Sequence, residues 1–294
     1  MSLCTPRKMC AASWAAFFLL PLAVSTVAQQ KSDVDPIALV RQASKNEIRA
    51  TDQQSYFMFK DTIEYKDHSV TRAVVRTPMG GLKSTLLLNG RPLTSEERKK
   101  DDEKLQKFAN DPEARRKKHE ANKEEDQRAE LMLTSLPDAF NYTYAGTDRG
   151  PQGEELVHLK FTPNPNFQPP NHETAVYQGM QGDLTIDRHA MRIAKIDGTL
   201  FKDVGFGWGI LGHLDRGGRF VVVQGPVAKG YWTTTHMQLS FTGKALFFKS
   251  INIQETEDSS DFRRVPGHMT FAQGVEMLKQ RNGVVAENEN GGRK

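Results

Sequence analysis

The sequence predicts a mainly β (α+β) protein built on a large antiparallel sheet, with few helices. Three observations favour this fold class. Apolar and polar residues alternate in segments such as "SYFMFKDTIEYKD", where Phe57, Phe59, Ile63 and Tyr65 share one face of a strand. Turn residues such as Asn89-Gly90 separate these segments, as they do in hairpins. Strands follow one another without intervening helices, except across one charged segment.

The first 28 residues read as a signal peptide. Arg7 and Lys8 form a basic start, the apolar run Ala11–Val24 follows, and Thr26-Val27-Ala28 supplies the small residues of a cleavage site. The run is short for a membrane span and Pro21 interrupts it, which disfavours an uncleaved anchor. We therefore expect cleavage after Ala28 and export of the mature chain.

Composition excludes several functional classes. Cys4 and Cys10 are the two cysteines and both lie in the leader, so the mature chain has no disulfide, thiol nucleophile or cysteine metal site. The full chain has 40 basic and 36 acidic residues, too even a balance to indicate nucleic-acid binding. No later stretch is apolar for long enough to span a membrane.

The mature chain is expected to form one domain over residues 29–281. A short amphipathic helix begins at Asp35-Pro36, and strands start near Gln54. Residues 94–133, approximately, are predicted to be a helical insertion. After the last strands, one more helix is expected at about 270–280, followed by a disordered tail over residues 282–294.

The insertion is almost purely charged. About eleven basic and twelve acidic residues occur in mixed order between Glu96 and Glu130, and the large apolar residues are almost only Leu105, Phe108 and the group 131–133. Such helices have little to bury and rely on charge pairs four residues apart. The insertion is therefore interpreted either as a solvated excursion from the sheet, with little share in the core, or as an arm that docks a partner.

The stretch Gly207-Trp-Gly209-Ile-Leu-Gly212 matches the dinucleotide-binding pattern G-x-G-x-x-G. That pattern binds a pyrophosphate only where a strand leads into the loop and a helix leaves it. Here Gly217-Gly218 and the strand "RFVVVQ" follow, so we expect no nucleotide and no other cofactor. The apolar residues of this link are predicted to form a flap or to plug one end of the core: Phe206, Trp208, Ile210 and Leu211.

No catalytic or metal-binding pattern stands out. None of the eight histidines has the i,i+2 or i,i+4 spacing of a metal pair, and no G-x-S-x-G nucleophile elbow is present. The sequence thus predicts neither catalysis nor a metal site, and an exported hydrolase is the weakest of the functions considered.

Two segments carry a family resemblance: "VHLKFTPNP" (Val157–Pro165) and "QGDLTIDRHAMRIAKIDGTLF" (Gln181–Phe201). They resemble the outer-membrane lipoprotein-sorting proteins of Gram-negative bacteria, which are periplasmic Lol-type carriers and their relatives. The resemblance implies a sheet curled as an unclosed barrel, helices that lid its mouth, and a concave apolar face that shelters acyl chains. The charged insertion departs from this pattern, and no arginine can be matched to the one that controls release in the carriers.

The first functional hypothesis is a periplasmic, non-catalytic protein that binds a lipid or lipoprotein acyl chain. The alternative is an interaction or sensor module that contacts an envelope protein through the insertion and holds no ligand. A contiguous apolar cavity would favour the first hypothesis. Eight residues, all of them also ordinary core formers, are predicted to line the pocket: Phe57, Phe59, Leu86, Leu88, Leu184, Ile186, Ile193 and Trp232.

Overall fold

The computed structural model describes residues 35–52, 56–77, 80–206, 212–245, 249–267 and 269–291. The predicted leader and the flap residues Trp208, Ile210 and Leu211 lie outside these ranges, and the side chain of Phe206 is likewise not described. The helices are α1 (Pro36–Asp52), α2 (Ser95–Asn110), α3 (Pro112–Ala139) and α4 (Phe271–Gly291), with a 3₁₀ helix at Thr174–Gly179.

The strands continue the same order along the chain. They are β1 (Phe57–Tyr65), β2 (Ser69–Thr77), β3 (Gly80–Leu88), β4 (Arg91–Pro92), β5 (Phe140–Arg149), β6 (Glu155–Pro163), β7 (Met180–Asp187), β8 (Arg192–Leu200), β9 (Val204–Phe206), β10 (Gly212–Leu214), β11 (Arg219–Ala228), β12 (Tyr231–Ala245) and β13 (Lys249–Arg264).

All 13 strands belong to one antiparallel sheet with the order β4-β3-β2-β1-β13-β12-β11-β8-β7-β6-β5, while β10 pairs with β12 and β9. The two ends of this order, β4 and β5, do not pair with each other, so the sheet is not closed into a barrel. The predicted fold class is therefore confirmed. Asn89 and Gly90 both adopt positive φ, 50° and 73°, in the β3–β4 turn, which explains this residue pair there.

The sheet has two faces that pack against different helices. The residues that share a face can be followed from strand to strand, because directly paired residues project to the same side of the sheet. Phe220 pairs with Leu239, Leu239 with Glu255, and Tyr65 with Glu255. We call this the inner face, and the opposite one the outer face.

Most of the core lies on the inner face, under α1 and the end of α3. Leu39, Val40 and Ala43 of α1 and Leu136 of α3 pack there against β5–β8. A second inner-face group is aromatic: the rings of Phe59 and Phe262 stack at 5.2 Å.

The outer face is covered by α2 and α4 over β1–β3, and this corrects the expectation that the insertion adds little core. Leu105 of α2 is 5% exposed, and the ring of Phe108 lies 6.2 Å from that of Phe271 in α4. Asp101 fixes α2 to β3, accepting hydrogen bonds from the hydroxyls of Ser84 and Thr85 at 2.7 and 2.8 Å. Part of the insertion is thus structural.

The helix boundaries also differ from those predicted. The capping box of Thr94 with Glu97 and the cap by Asp111 before Pro112 are present as expected. However, α3 runs to Ala139 instead of ending near Leu133, and α4 runs to Gly291, through much of the segment expected to be disordered.

Candidate ligand cavity

A cavity of about 210 Å³ lies between the inner face and the helices above it. Its floor is formed by β5–β8, β11 and β12, and its cover by α3 and the 3₁₀ helix. Thirteen residues line it: Met132, Leu136, Phe140, Tyr142, Phe161, Val176, Tyr177, Met180, Leu184, Ile196, Phe220, Leu239 and Phe241. All except the two tyrosines have side chains without nitrogen or oxygen, so the cavity is a hydrocarbon environment.

Strand register explains why these floor residues meet. Leu184 pairs with Ile196 across β7 and β8, and Phe220 pairs with Leu239 across β11 and β12. Gly198 lies between these pairs and provides room. A Cβ at this position would lie 2.8 Å from the Met180 sulfur and 3.2 Å from the Phe220 ring. Its hydrogen side chain therefore lets two walls of the cavity approach the backbone.

The polar groups of both tyrosines are engaged by the cover. The Tyr142 hydroxyl donates to the Leu136 carbonyl at 2.7 Å, and the Tyr177 hydroxyl donates to the Met132 carbonyl at 3.2 Å. Burial raises the pKa of both phenols above the usual value, so both stay neutral. Because each hydroxyl donates its proton to a backbone carbonyl of α3, neither hydroxyl can donate to a ligand.

Helix α1, which packs against α3, is held to the sheet by an ion pair. Glu47 of α1 accepts from both Nε and Nη2 of Arg192 at 2.8 Å, and from the Ile193 backbone N–H at 2.9 Å. Glu47 is buried and the Arg192 side chain is 14% exposed, and bidentate charge-assisted bonds of this kind are strong and directional. A second, exposed pair joins Arg41 of α1 to Asp138 of α3 at 2.9 Å.

Only one of the eight predicted lining residues, Leu184, lines the cavity. Ile186 and Ile193 belong to the same inner-face core, where they are fully buried behind the wall. Phe57 and Phe59 lie on the inner face too, but in the separate aromatic group with Phe262.

The other three predicted residues lie elsewhere for identifiable reasons. Leu86 lies on the outer face with Leu82. A β-bulge leaves Leu86 without a partner between Leu87 and Thr85, so Leu86 and Leu88 lie on opposite faces of the sheet. Leu88 is half-buried opposite Val70 at the end of β3. The Arg192 guanidinium lies over the ring of Trp232, and its central carbon is 5.8 Å from the ring centroid. Ligand contacts by these residues remain a prediction.

The resemblance led us to expect helices over the mouth of the sheet, but most of the residues through which they line the cavity were not identified. Met132 and Leu136 follow a long charged stretch, and Val176 and Tyr177 lie in a six-residue 3₁₀ helix just after a proline-rich loop. One signal was available. The segment from Leu131 to Leu133 ends the charged run with consecutive apolar residues, and Met132 of that group does line the cavity.

A carboxyl pair lies on the inner face away from the cavity. Asp61 of β1 is 1% exposed and its Oδ1 has no hydrogen-bond partner. Burial, followed by the hydrogen bond and the charge of Asp61, raises the pKa of the half-buried Glu257 to about 7, against the opposing charge of Lys83. At neutral pH the Glu257 carboxyl therefore carries a proton for part of the time.

This pair predicts a pH dependence of stability. The folded protein keeps a proton on Glu257 up to about pH 7, whereas the unfolded chain releases it near the ordinary value of about 4.3. The free energy of unfolding should thus fall as pH rises between these values. Glu257→Gln should remove most of this fall, as measured by urea unfolding at pH 5 and pH 8. Glu64→Gln, at an exposed position of β1, should leave it unchanged, and the same decline in both variants would contradict the assignment.

Two properties of the described ranges complete the picture. Within them, no group of three or more His, Cys, Asp or Glu side chains is arranged to hold a metal ion. No helix in the same ranges has the length and apolarity needed to cross a membrane.

Comparison with known proteins gives only distant similarity. No family model and no curated protein matches the sequence significantly. Among solved structures, a DUF1329 family protein from Desulfovibrio piger has 13% identity and a TM-score of 0.28, covering 83% of this chain and 100% of that one. MucB in the MucA/MucB complex of Pseudomonas aeruginosa has 11% identity and a TM-score of 0.22, covering 83% and 97%. Scores this low establish no common fold, so neither ligand nor partner carries over to this chain.

Proposed function

We propose that this protein is a non-catalytic binding or carrier protein of the cell envelope, and that its ligand is the acyl chain of a lipid or lipoprotein. The observation that carries the proposal is the hydrocarbon-lined cavity between the inner face and its helical cover. Concave sites lined mainly by apolar and aromatic side chains are the usual sites for apolar ligands.

The chemistry of the lining supports an apolar ligand over a polar one. A polar group placed among Leu184, Ile196 and Leu239 would lose its water without gaining a partner. The tyrosine hydroxyls cannot donate to such a group, because both already donate to α3. A hydrocarbon chain has no hydrogen bonds with water to lose on entry, and each methylene withdrawn from water contributes about 0.8 kcal/mol.

The cover supports reversible loading. Pro137 lies within the last turns of α3 and has no N–H, so the Leu133 carbonyl lacks its usual helical donor. The helix is therefore weakest beside Met132 and Leu136, the residues that roof the cavity. Bending at this point would open the cavity without unfolding the sheet.

The predicted leader supports a place in the envelope. Export through a signal peptide cleaved after Ala28 would deliver a cysteine-free chain to the periplasm. There an acyl chain needs a protein shelter, because it cannot cross the aqueous space between two membranes unassisted.

One observation favours the second candidate, a sensor or interaction module acting through the insertion. Residues 116–130 of α3 are exposed almost throughout, and their ion pairs, such as Arg116–Glu120 at 2.8 Å, are made within the helix itself. A helix this polar has a free surface for a charged protein partner. It would act without any occupant of the cavity.

A cavity-filling variant separates the two candidates. Val176→Trp places a large side chain in the cavity from the 3₁₀ helix, and Val227→Trp makes the same change in the aromatic group. Native mass spectrometry of each protein, purified from the periplasm of a Gram-negative host, should find co-purified lipid with the parent and Val227→Trp but not with Val176→Trp. Near-ultraviolet circular dichroism checks that both variants fold. A parent free of lipid that also takes up no added fatty acid would favour the interaction module.

A further inference from the structure

Resting on this proposed function, we propose that the cavity accepts a single medium-length hydrocarbon chain, about seven or eight methylenes deep, and leaves the head group outside whatever its charge. A bundle of three acyl chains, or one long chain along its full length, does not fit. The protein would then select among ligands by the length of their hydrocarbon chain alone.

The volume sets the number of methylenes. A cavity of about 150 Å³ is filled by benzene, with its six carbons, which corresponds to roughly 25 Å³ per carbon. A methylene is also close in size to a water molecule, whose share of the liquid is about 30 Å³. At about 210 Å³ the cavity therefore holds one chain of about seven or eight such groups.

The walls stop a longer chain from going deeper. Phe140 closes one side, with ring centroids 4.7 Å from Phe161 and 5.0 Å from Tyr177. Leu184 is 1% exposed, and Ile186 and Ile193 fill the space around it. A close-packed interior cannot admit several more methylenes without a cost in free energy, because the surrounding side chains would have to shift.

The head group must stay outside because the cavity lining has no charged side chain and no free hydrogen-bond donor to replace its hydration. The lining carries no charged side chain, and its two hydroxyls donate to the carbonyls of Leu136 and Met132. Burying an unpaired charge there would be strongly unfavourable. Affinity should therefore come from the methylenes, with little contribution from the head.

Two homologous series test the proposal on the intact mature protein: neutral 1-alkanols and the alkanoates, from five to fourteen carbons, each below its micelle concentration. Isothermal titration calorimetry should show affinity rising about fourfold per added methylene up to about eight carbons and then levelling off. Alkanol and alkanoate of equal chain length should bind within about threefold of each other. Continued gain to fourteen carbons, or a strong preference for one head, would overturn the inference while leaving the proposed function intact. No binding by any member would instead reject the proposed function.

A matched pair of variants checks that the cavity sets the limit. Phe241→Leu removes roughly three carbons from the cavity wall and should move the plateau two to three carbons further. Phe262→Leu makes the same change in the aromatic group on the same face and should leave the plateau at its original length. A plateau unmoved by the first variant, or moved equally by both, would contradict the assignment of chain length to this cavity.

Discussion

Glu47→Ala should lower the free energy of unfolding by about 3–5 kcal/mol, because it leaves the mostly buried guanidinium of Arg192 without its carboxylate partner. Two charge-assisted hydrogen bonds and the bond from the Ile193 N–H are lost together. Urea unfolding at neutral pH measures the effect. Arg41→Ala, which removes the exposed pair with Asp138, should cost no more than about 1 kcal/mol.

A double variant separates the ion pair from the packing around it. Glu47→Leu combined with Arg192→Met removes both charges and keeps apolar volume, so it should recover most of the stability lost in Glu47→Ala. A Glu47→Ala variant as stable as Arg41→Ala would show that α1 is not held to the sheet by this pair. The attachment of α1 to the sheet would then need another explanation.

Phe140→Ala should also destabilise the protein by about 3–5 kcal/mol. Phe140 is 3% exposed and packs against three other rings, those of Phe161, Tyr177 and Tyr142. Its loss opens a void beside the cavity that the neighbouring strands cannot collapse into. Thermal and urea unfolding measure the change, with Phe201→Ala as the control, since Phe201 is 39% exposed. A loss below about 1 kcal/mol would mean that this ring cluster rearranges freely.

The sheet could be predicted from the sequence because its determinants are local. Alternation in β1 assigned Phe57, Phe59 and Ile63 to one buried face, and Asn89-Gly90 marked a turn that the structure contains. The N-terminal caps at Thr94 and Asp111 were equally predictable from the sequence, since capping depends on a few adjacent residues.

The cavity could not be predicted with the same success because it depends on long-range register. A single bulge in β3 places Leu86 and Leu88 on opposite faces, and alternation cannot locate a bulge. Met132 and Tyr177, joined by a hydrogen bond, are separated by 45 residues along the chain. The role of Leu105 was missed for a similar reason. A sparse apolar pattern does not show that one leucine meets a second helix, α4, on a sheet face.

The central claim, that the inner-face cavity binds a hydrocarbon chain, is tested most directly by methyl NMR during titration with 1-octanol. The largest shift changes are expected for the methyl groups of Met132, Leu184, Ile196 and Leu239, which line the cavity. Leu82, Leu105 and Leu278, in the outer-face core, should be unaffected. Saturable shifts confined to the first group are the predicted result. No saturable shift, or the largest changes in the second group, would contradict the claim.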